Sequence, residues 1–285
     1  MADMDDPSTQ NTRMWLIAAG LVVVIGAGAG VWWYLHRAPE PVAPEEIAAA
    51  EEAPTPPPVA ASPPAVEHPL EPATDAATAP PLPAVADSDP ALVTALQGLI
   101  GAAAVQTWLV PDQIARRFVA TVDNLPRDTP LEKRRPLQAP ADSFIVDRTT
   151  VDASAGTERI TLSARNALRY DAAVTLFQKA DLKQMAELYR HYYPLLQQAY
   201  EDLGYPDHYF NDRVIAAIDD MLRAPEIDGP IALTQPKVLY QYEDPALEQL
   251  SSGQKLMMRM GLAHERNIKA RLRELRALIA TTAKK

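Results

Sequence analysis

The sequence predicts a mainly α fold, a multi-helix domain with one or two short β-hairpins, placed after a single transmembrane helix and a disordered Pro-rich linker. Three observations predict it. One uncharged apolar run lies near the start, a long Pro/Ala/Glu tract follows, and beyond residue 90 apolar residues recur at steps of three and four. The expected parts are a cytoplasmic tail (1–13), the transmembrane helix (14–35), the linker (36–89) and a mostly helical domain (90–285).

The apolar run, Met14–Leu35, contains neither charge nor Pro. Its length covers a hydrocarbon core of roughly 30 Å as a helix. Trp15 near one end and Trp32, Trp33 and Tyr34 at the other suit the two headgroup zones. A cleaved signal peptide has a shorter core and a small-residue cleavage site, whereas bulky rings occupy that place here. Arg13 and Arg37 nearly balance, but no Lys or Arg follows Arg37 before Pro90. That depletion places the N-terminus in the cytoplasm and the domain in the periplasm. Gly26 and Gly30 form a G-x-x-x-G, the spacing that lets two membrane helices approach; ordinary membrane-helix composition is the alternative.

Ala38–Pro90 holds fifteen of the 27 prolines, ten Asp/Glu and no aromatic residue. Such a tract buries too little apolar surface to offset its ordering entropy. It also accounts for the whole net charge of −10, so the domain itself is near neutral. Zero Cys excludes disulfides, thiol catalysis and Cys-ligated metals.

Within the domain, Ser88-Asp89-Pro90 opens a first helix bearing Leu92, Leu96, Leu99 and Ile100, and Pro111 starts a second bearing Ile114, Phe118, Val119 and Val122. Arg127–Ala141 reads as a loop. Phe144–Val146 and Ile160–Leu162 flank a turn at Asp152–Gly156, a hairpin. Leu168–Gln178 reads as one helix. Asp181 caps the next, which runs to Leu203 with a kink or split expected at Pro194. Asn211 or Asp212 caps a helix that closes before Pro225. Ile231–Leu233 and Val238–Tyr242 are extended runs and Pro245–Leu250 a short helical turn. Ser251–Gln254 is a capping box opening a helix to Met260, and a last helix covers about His264 to Ala280.

No motif marks a catalytic, cofactor-binding or metal site. Ser252-x-x-Lys255 matches the S-x-x-K of penicillin-recognising enzymes, but its S-x-N and K-T-G partners are missing and the capping box explains the same serine. His191, His208 and His264 form no zincin spacing. Nine of the ten Tyr lie in the domain. They suit either a ring-lined groove for a glycan or extended peptide, or core packing with each hydroxyl bonded; the buried stripe favours packing. Arg266, Lys269, Arg271, Arg273 and Arg276 form a basic face on the last helix, interleaved with Glu265 and Glu274.

From about Pro90 onward several blocks stand in one order: IARRFVATVDNLPR (114–127), LRYD (168–171), LYRHYYPLLQQAYEDLGYP (188–206), YFNDRVIAAIDDMLRAP (209–225), PKVLYQYEDPALEQLSSGQKLMMRMG (236–261) and IKARLRELR (268–276). In these blocks the chain resembles the bacterial domain of unknown function 3014 family. The resemblance implies an envelope-anchored bacterial protein and supplies no catalytic residues.

The resulting expectation is a single-pass inner-membrane protein presenting an interaction or scaffold domain to envelope proteins or the cell wall. No cofactor or nucleic acid is expected; a homodimer through the transmembrane helix is the alternative to an unpaired span. Arg169, Tyr170, Tyr192 and Arg259 are the candidate contact residues. An envelope hydrolase acting on cell-wall material is the alternative. A cytoplasmic domain whose basic last helix touches nucleic acid is the third reading.

Overall fold

The computed structural model describes residues 65–71, 73, 81–129, 135–140, 143–152, 154 and 156–280, all within a compact unit spanning 61–285. The expected span at Met14–Leu35, with Gly26 and Gly30, lies outside the described residues, as does most of the expected linker. Among the described residues no helix is long and apolar enough to cross a membrane.

The element order is α1 (Asp89–Ile100), α2 (Ala102–Trp108), α3 (Ile114–Asn124), β1 (Val146–Asp152), β2 (Thr157–Leu162), α4 (Asp171–Lys179), α5 (Leu182–Asp202), α6 (Phe210–Leu222), β3 (Ala232–Thr234), β4 (Gln241–Tyr242), α7 (Pro245–Glu248), α8 (Ser252–Arg259) and α9 (Leu262–Ile279). The fold is mainly helical with one small antiparallel sheet, ordered β1-β2-β3-β4. The two expected hairpins therefore join, through Ile160 opposite Leu233 and Leu233 opposite Tyr242. That row meets Met258 of α8 in a small core under the sheet. β1 is exposed at every residue after Val146.

The main core lies among the helices. Val119 of α3, Ala186, Leu196 and Tyr200 of α5, Phe210 and Ile215 of α6, Met257 of α8 and Ile268 and Leu272 of α9 meet there. α9 packs on α4, α5 and α6, so the C-terminal helix closes the bundle. On α9 the Lys269 ammonium is buried 2.8 Å from Glu265 and donates to the Ala224 carbonyl just past α6. A cation placed there satisfies a carbonyl at the negative end of that helix.

Several local expectations are corrected by tertiary contacts. Asp89 does not cap its own helix. Its carboxylate accepts the Gln113 and Ile114 N–H groups at 2.7 and 2.8 Å and so caps α3, which begins at Ile114 and not at Pro111. Leu168–Gln178 is not one helix: a 3-10 turn over Ala164–Tyr170 precedes α4. The tighter turn holds buried Asn166 where its side chain bonds both the N–H and the C=O of Ile145. α5 does not split at Pro194, because Ala186, Leu195, Leu196, Ala199 and Tyr200 are buried on both sides of the missing N–H. Neither Asn211 nor Asp212 caps α6; Tyr209 is its N-cap position and both side chains bond elsewhere. The extended run Val238–Tyr242 pairs only at Gln241–Tyr242, leaving Val238 and Leu239 largely exposed. The last helix starts earlier, at Leu262, directly after Gly261 with φ +82°.

The Ser251–Gln254 capping box forms as read. Its setting explains the following glycine. The Ser252 and Gly253 N–H groups donate to the carbonyls of Arg127 and Leu125 at 2.7 and 2.8 Å, so the start of α8 abuts the end of α3. A Cβ at Gly253 would lie 3.0 Å from Met221 Cγ and 3.1 Å from the Leu125 oxygen. That oxygen cannot retreat without stretching its bond. Gly253→Ala is therefore expected to destabilise the protein by about 1–2 kcal/mol despite the better helix propensity of alanine. Thermal melting of the full chain checks this, and an unchanged or raised midpoint contradicts it.

Candidate functional site

The start of α6 carries a groove already filled by the chain itself. Residues 65–71 pass over it in an irregular, non-helical course. The Asp212 carboxylate accepts two successive N–H groups, from Glu67 at 3.1 Å and His68 at 2.7 Å. The Tyr209 hydroxyl accepts the Leu70 N–H at 2.9 Å. Asn211 returns a hydrogen bond to the His68 carbonyl at 2.9 Å. Leu70 packs against the main core, and Ala73 is buried. The expected linker over 36–89 therefore departs from the structure at these residues. A main chain whose polar groups are met by fixed side chains can hold a course that its composition alone would not.

Asn211 is fully buried, and both N–H groups of its amide and its oxygen are hydrogen-bonded. Its amide also donates to the Ile279 carbonyl at 3.0 Å, the end of α9, and its oxygen accepts the Tyr189 hydroxyl at 3.0 Å. Tyr189, Tyr193 and Tyr209 form a row with ring centroids 5.7 and 5.3 Å apart. The Tyr193 hydroxyl donates to Gln197 and accepts the Asn211 N–H. Burial pushes the Tyr189 and Tyr193 hydroxyls well above the ordinary tyrosine value, so both remain neutral donors. Arg276 of α9 grips Asp219 of α6 with two bonds of 2.6 and 2.9 Å. Those bonds hold the Asp219 carboxyl below its usual range, against some desolvation, with His68 adding to the effect.

The groove reads main chain. Donors are required at residues 67, 68 and 70, and Pro69, which has no N–H, sits where none is required. Sequence reasoning saw the tyrosines but not their occupant. The available signal was the pairing of the tract's single His with its first Leu, at His68 and Leu70.

The sequence-derived candidates fall elsewhere. Arg169, whose guanidinium lies 5.8 Å from the Tyr170 ring, bonds Asn166 beside the sheet. Tyr170 and Arg259 both act electrostatically on the buried Tyr242 hydroxyl, so these three candidates share one region. Tyr192 lies apart on α5, with its ring against His191 and its hydroxyl donating to the Ala91 carbonyl at 3.4 Å. Ser252 is held by Thr129, accepting its N–H and donating to its carbonyl. Lys255 pairs with Asp128 at 2.8 Å. Both residues of the S-x-x-K are thus engaged in structure. Four of the five basic residues on the last helix, all but Arg273, are likewise paired: Arg266 with Glu226, Lys269 with Glu265, Arg271 with Glu274 and Arg276 with Asp219.

A cleft of about 360 Å³ separates β2 and the segment before β3 from α8 and α9. Leu162, Ile231 and Met258 give it an apolar lining, and Asp147, Asp228, Arg259 and Glu265 its polar groups. Burial raises the Glu265 carboxyl, while Lys269 opposes the shift. Asp147 lies 3.7 Å from Arg165. Among the described residues no three His, Asp or Glu are grouped to hold a metal ion.

Two outcomes follow from this geometry. Asn211→Ala would strand the His68 and Ile279 carbonyls and the Tyr189 hydroxyl. At about 1–3 kcal/mol for each buried unsatisfied group, a loss above about 2 kcal/mol is expected in denaturant unfolding; a smaller loss contradicts the junction. Arg276→Ala removes the bonds that depress Asp219. A depressed carboxyl stabilises above its unfolded value, 3.8, and that contribution fades as pH falls through the lower folded value. The variant should thus be less stable than the native chain at neutral pH and nearly equal to it well below pH 3.8. A stability difference that persists in acid would contradict the assignment.

No curated protein and no solved structure matches the chain. Residues 114–276, more than half of its length, match the family described as "Protein of unknown function (DUF3014)", and these residues hold all of α3 to α8, the sheet, the groove side chains and most of α9. The chain belongs to that family.

Proposed function

We propose that this chain is a single-pass inner-membrane protein that presents a helical interaction domain in the periplasm, as an adaptor or scaffold for envelope proteins or the cell wall. The observation that carries the reading is the docking of residues 65–71 on Tyr209, Asn211 and Asp212. It gives the Pro-rich tract a defined point of attachment, as expected of a domain held on a tether. Met14–Leu35 supplies an apolar run long enough to span, and the tract after Arg37 lacks the Lys and Arg that retain segments in the cytoplasm. Engagement of Ser252 and Lys255 in structural bonds favours binding over acyl transfer. Gly26 and Gly30 would pair two such spans.

The carboxylates of the cleft, Asp147, Asp228 and Glu265, keep an envelope hydrolase as the second reading. The pairing of Glu265 with Lys269 and the nearness of Asp147 to Arg165 place it second. Turnover of purified muropeptides by the full chain, lost on Glu265→Gln, would reverse that order.

Topology tests the first reading. A reporter active only outside the cytoplasm, fused after Lys285, is expected to give signal, and a cytoplasm-only reporter at the same place none. The reverse pattern would refute the periplasmic domain. Crosslinking in intact cells is expected to trap an envelope partner on the full chain.

A further inference from the structure

We infer that the Tyr209–Asn211–Asp212 groove is a binding site for an extended peptide presented in trans, and that residues 65–71 are its resident ligand in cis. The ligand class is an extended segment with two successive non-Pro residues, any residue at the third position, Pro included, and an apolar non-Pro residue at the fourth. This goes beyond the adaptor reading and does not depend on membrane orientation.

Three observations carry it. First, every hydrogen bond between resident and groove uses the resident's main chain: the N–H groups of Glu67, His68 and Leu70 and the carbonyl of His68. Such a site accepts any chain with donors in that register, and it asks nothing of the third position, where Pro69 lies. Second, the resident's own polar side chain is poorly fitted. His68 Nδ1 is buried without a hydrogen-bond partner among the described residues, and the Val66 side chain points to solvent. The recognition is complete in the backbone and incomplete in the side chains. Third, Tyr189, Tyr193, Tyr209, Asn211 and Asp212 lie inside the span that matches the family, 114–276, and the resident lies outside it. The groove is part of the family's shared domain.

Seventeen residues, 72–88, join the resident to α1, so its local concentration is in the millimolar range and it masks the groove. A trans peptide must displace it, and displacement would free residues 65–71 from the domain.

The test uses the full chain in detergent and a fluorescent synthetic peptide copying residues 64–73. Glu67→Pro with His68→Pro removes two donors from the resident and leaves the groove intact. Fluorescence anisotropy should show this variant binding the peptide about ten-fold or more tighter than the native chain. Adding Asp212→Ala should abolish binding. Equal affinity for the native and double-proline chains, or binding that survives Asp212→Ala, would overturn the proposal. A second measurement covers the case in which the double-proline chain does not fold. The chain has no Cys, so Val66→Cys carries a single spin label. Excess peptide should mobilise that label in the otherwise native chain, and a label unmoved at millimolar peptide also overturns the proposal. The donor in trans is a second copy of this chain, since residues 65–71 are the segment shown to fit the groove. Sedimentation should show self-association that needs Asp212, and a peptide-binding chain that stays monomeric overturns the proposal.

Discussion

The side chain of Asn211 ties together three parts of the chain that are far apart in sequence. It donates to the carbonyls of His68 and Ile279 and accepts from the hydroxyl of Tyr189. Residues 65–71, the last helix and the long helix α5 therefore meet at one fully buried amide. Such a group is costly unless every bond is made. It thus permits one arrangement of these three pieces and penalises the rest. The hydrophobic core around Phe210 and Met257 supplies the bulk of the driving force, but apolar packing alone would tolerate slippage of α9 along the bundle. The amide sets the register.

The same logic recurs wherever polar residues are buried. Asp123 accepts from both Arg127 and Arg213, joining the end of α3 to the start of α6. Lys269 reaches the Ala224 carbonyl with Glu265 beside it, joining α9 to the end of α6. Asp220 takes the Ser251 hydroxyl at 2.5 Å and the Gln254 amide, joining α6 to the start of α8. Each of these contacts lies at a helix end, where backbone groups are left without intrahelical partners. The bundle is built by satisfying one helix's terminus with another helix's side chain.

That design decides what could be read from the sequence. Periodicity located α3, α5, α6 and α9, because their stripes face one core and depend only on spacing. Local caps with nearby partners were legible too: Asp181 bonds Lys183 and Gln184, and Ser251 bonds Gln254. Asp89, Asn211 and Asp212 look like caps of their own helices, yet they serve partners 25, 68 and 144 residues away. Nothing local distinguishes the two cases. The short helix α2 carries a single buried side chain, Val105, and so had no stripe to detect. The groove was half legible. Its tyrosines stood out, but its occupant lay in a tract whose composition argues for disorder, and main-chain recognition leaves little trace in side-chain identity.

The central claim is that the domain holds residues 65–71 of its own chain through Asp212 and Tyr209. Amide hydrogen exchange of the full chain at Glu67, His68 and Leu70 tests it most directly. The account predicts that these three amides exchange well below the unstructured rate while Val66, whose N–H makes no bond to the groove, exchanges fast. Exchange at the unstructured rate at all four positions would mean that the segment is not held, and the groove would lose its resident.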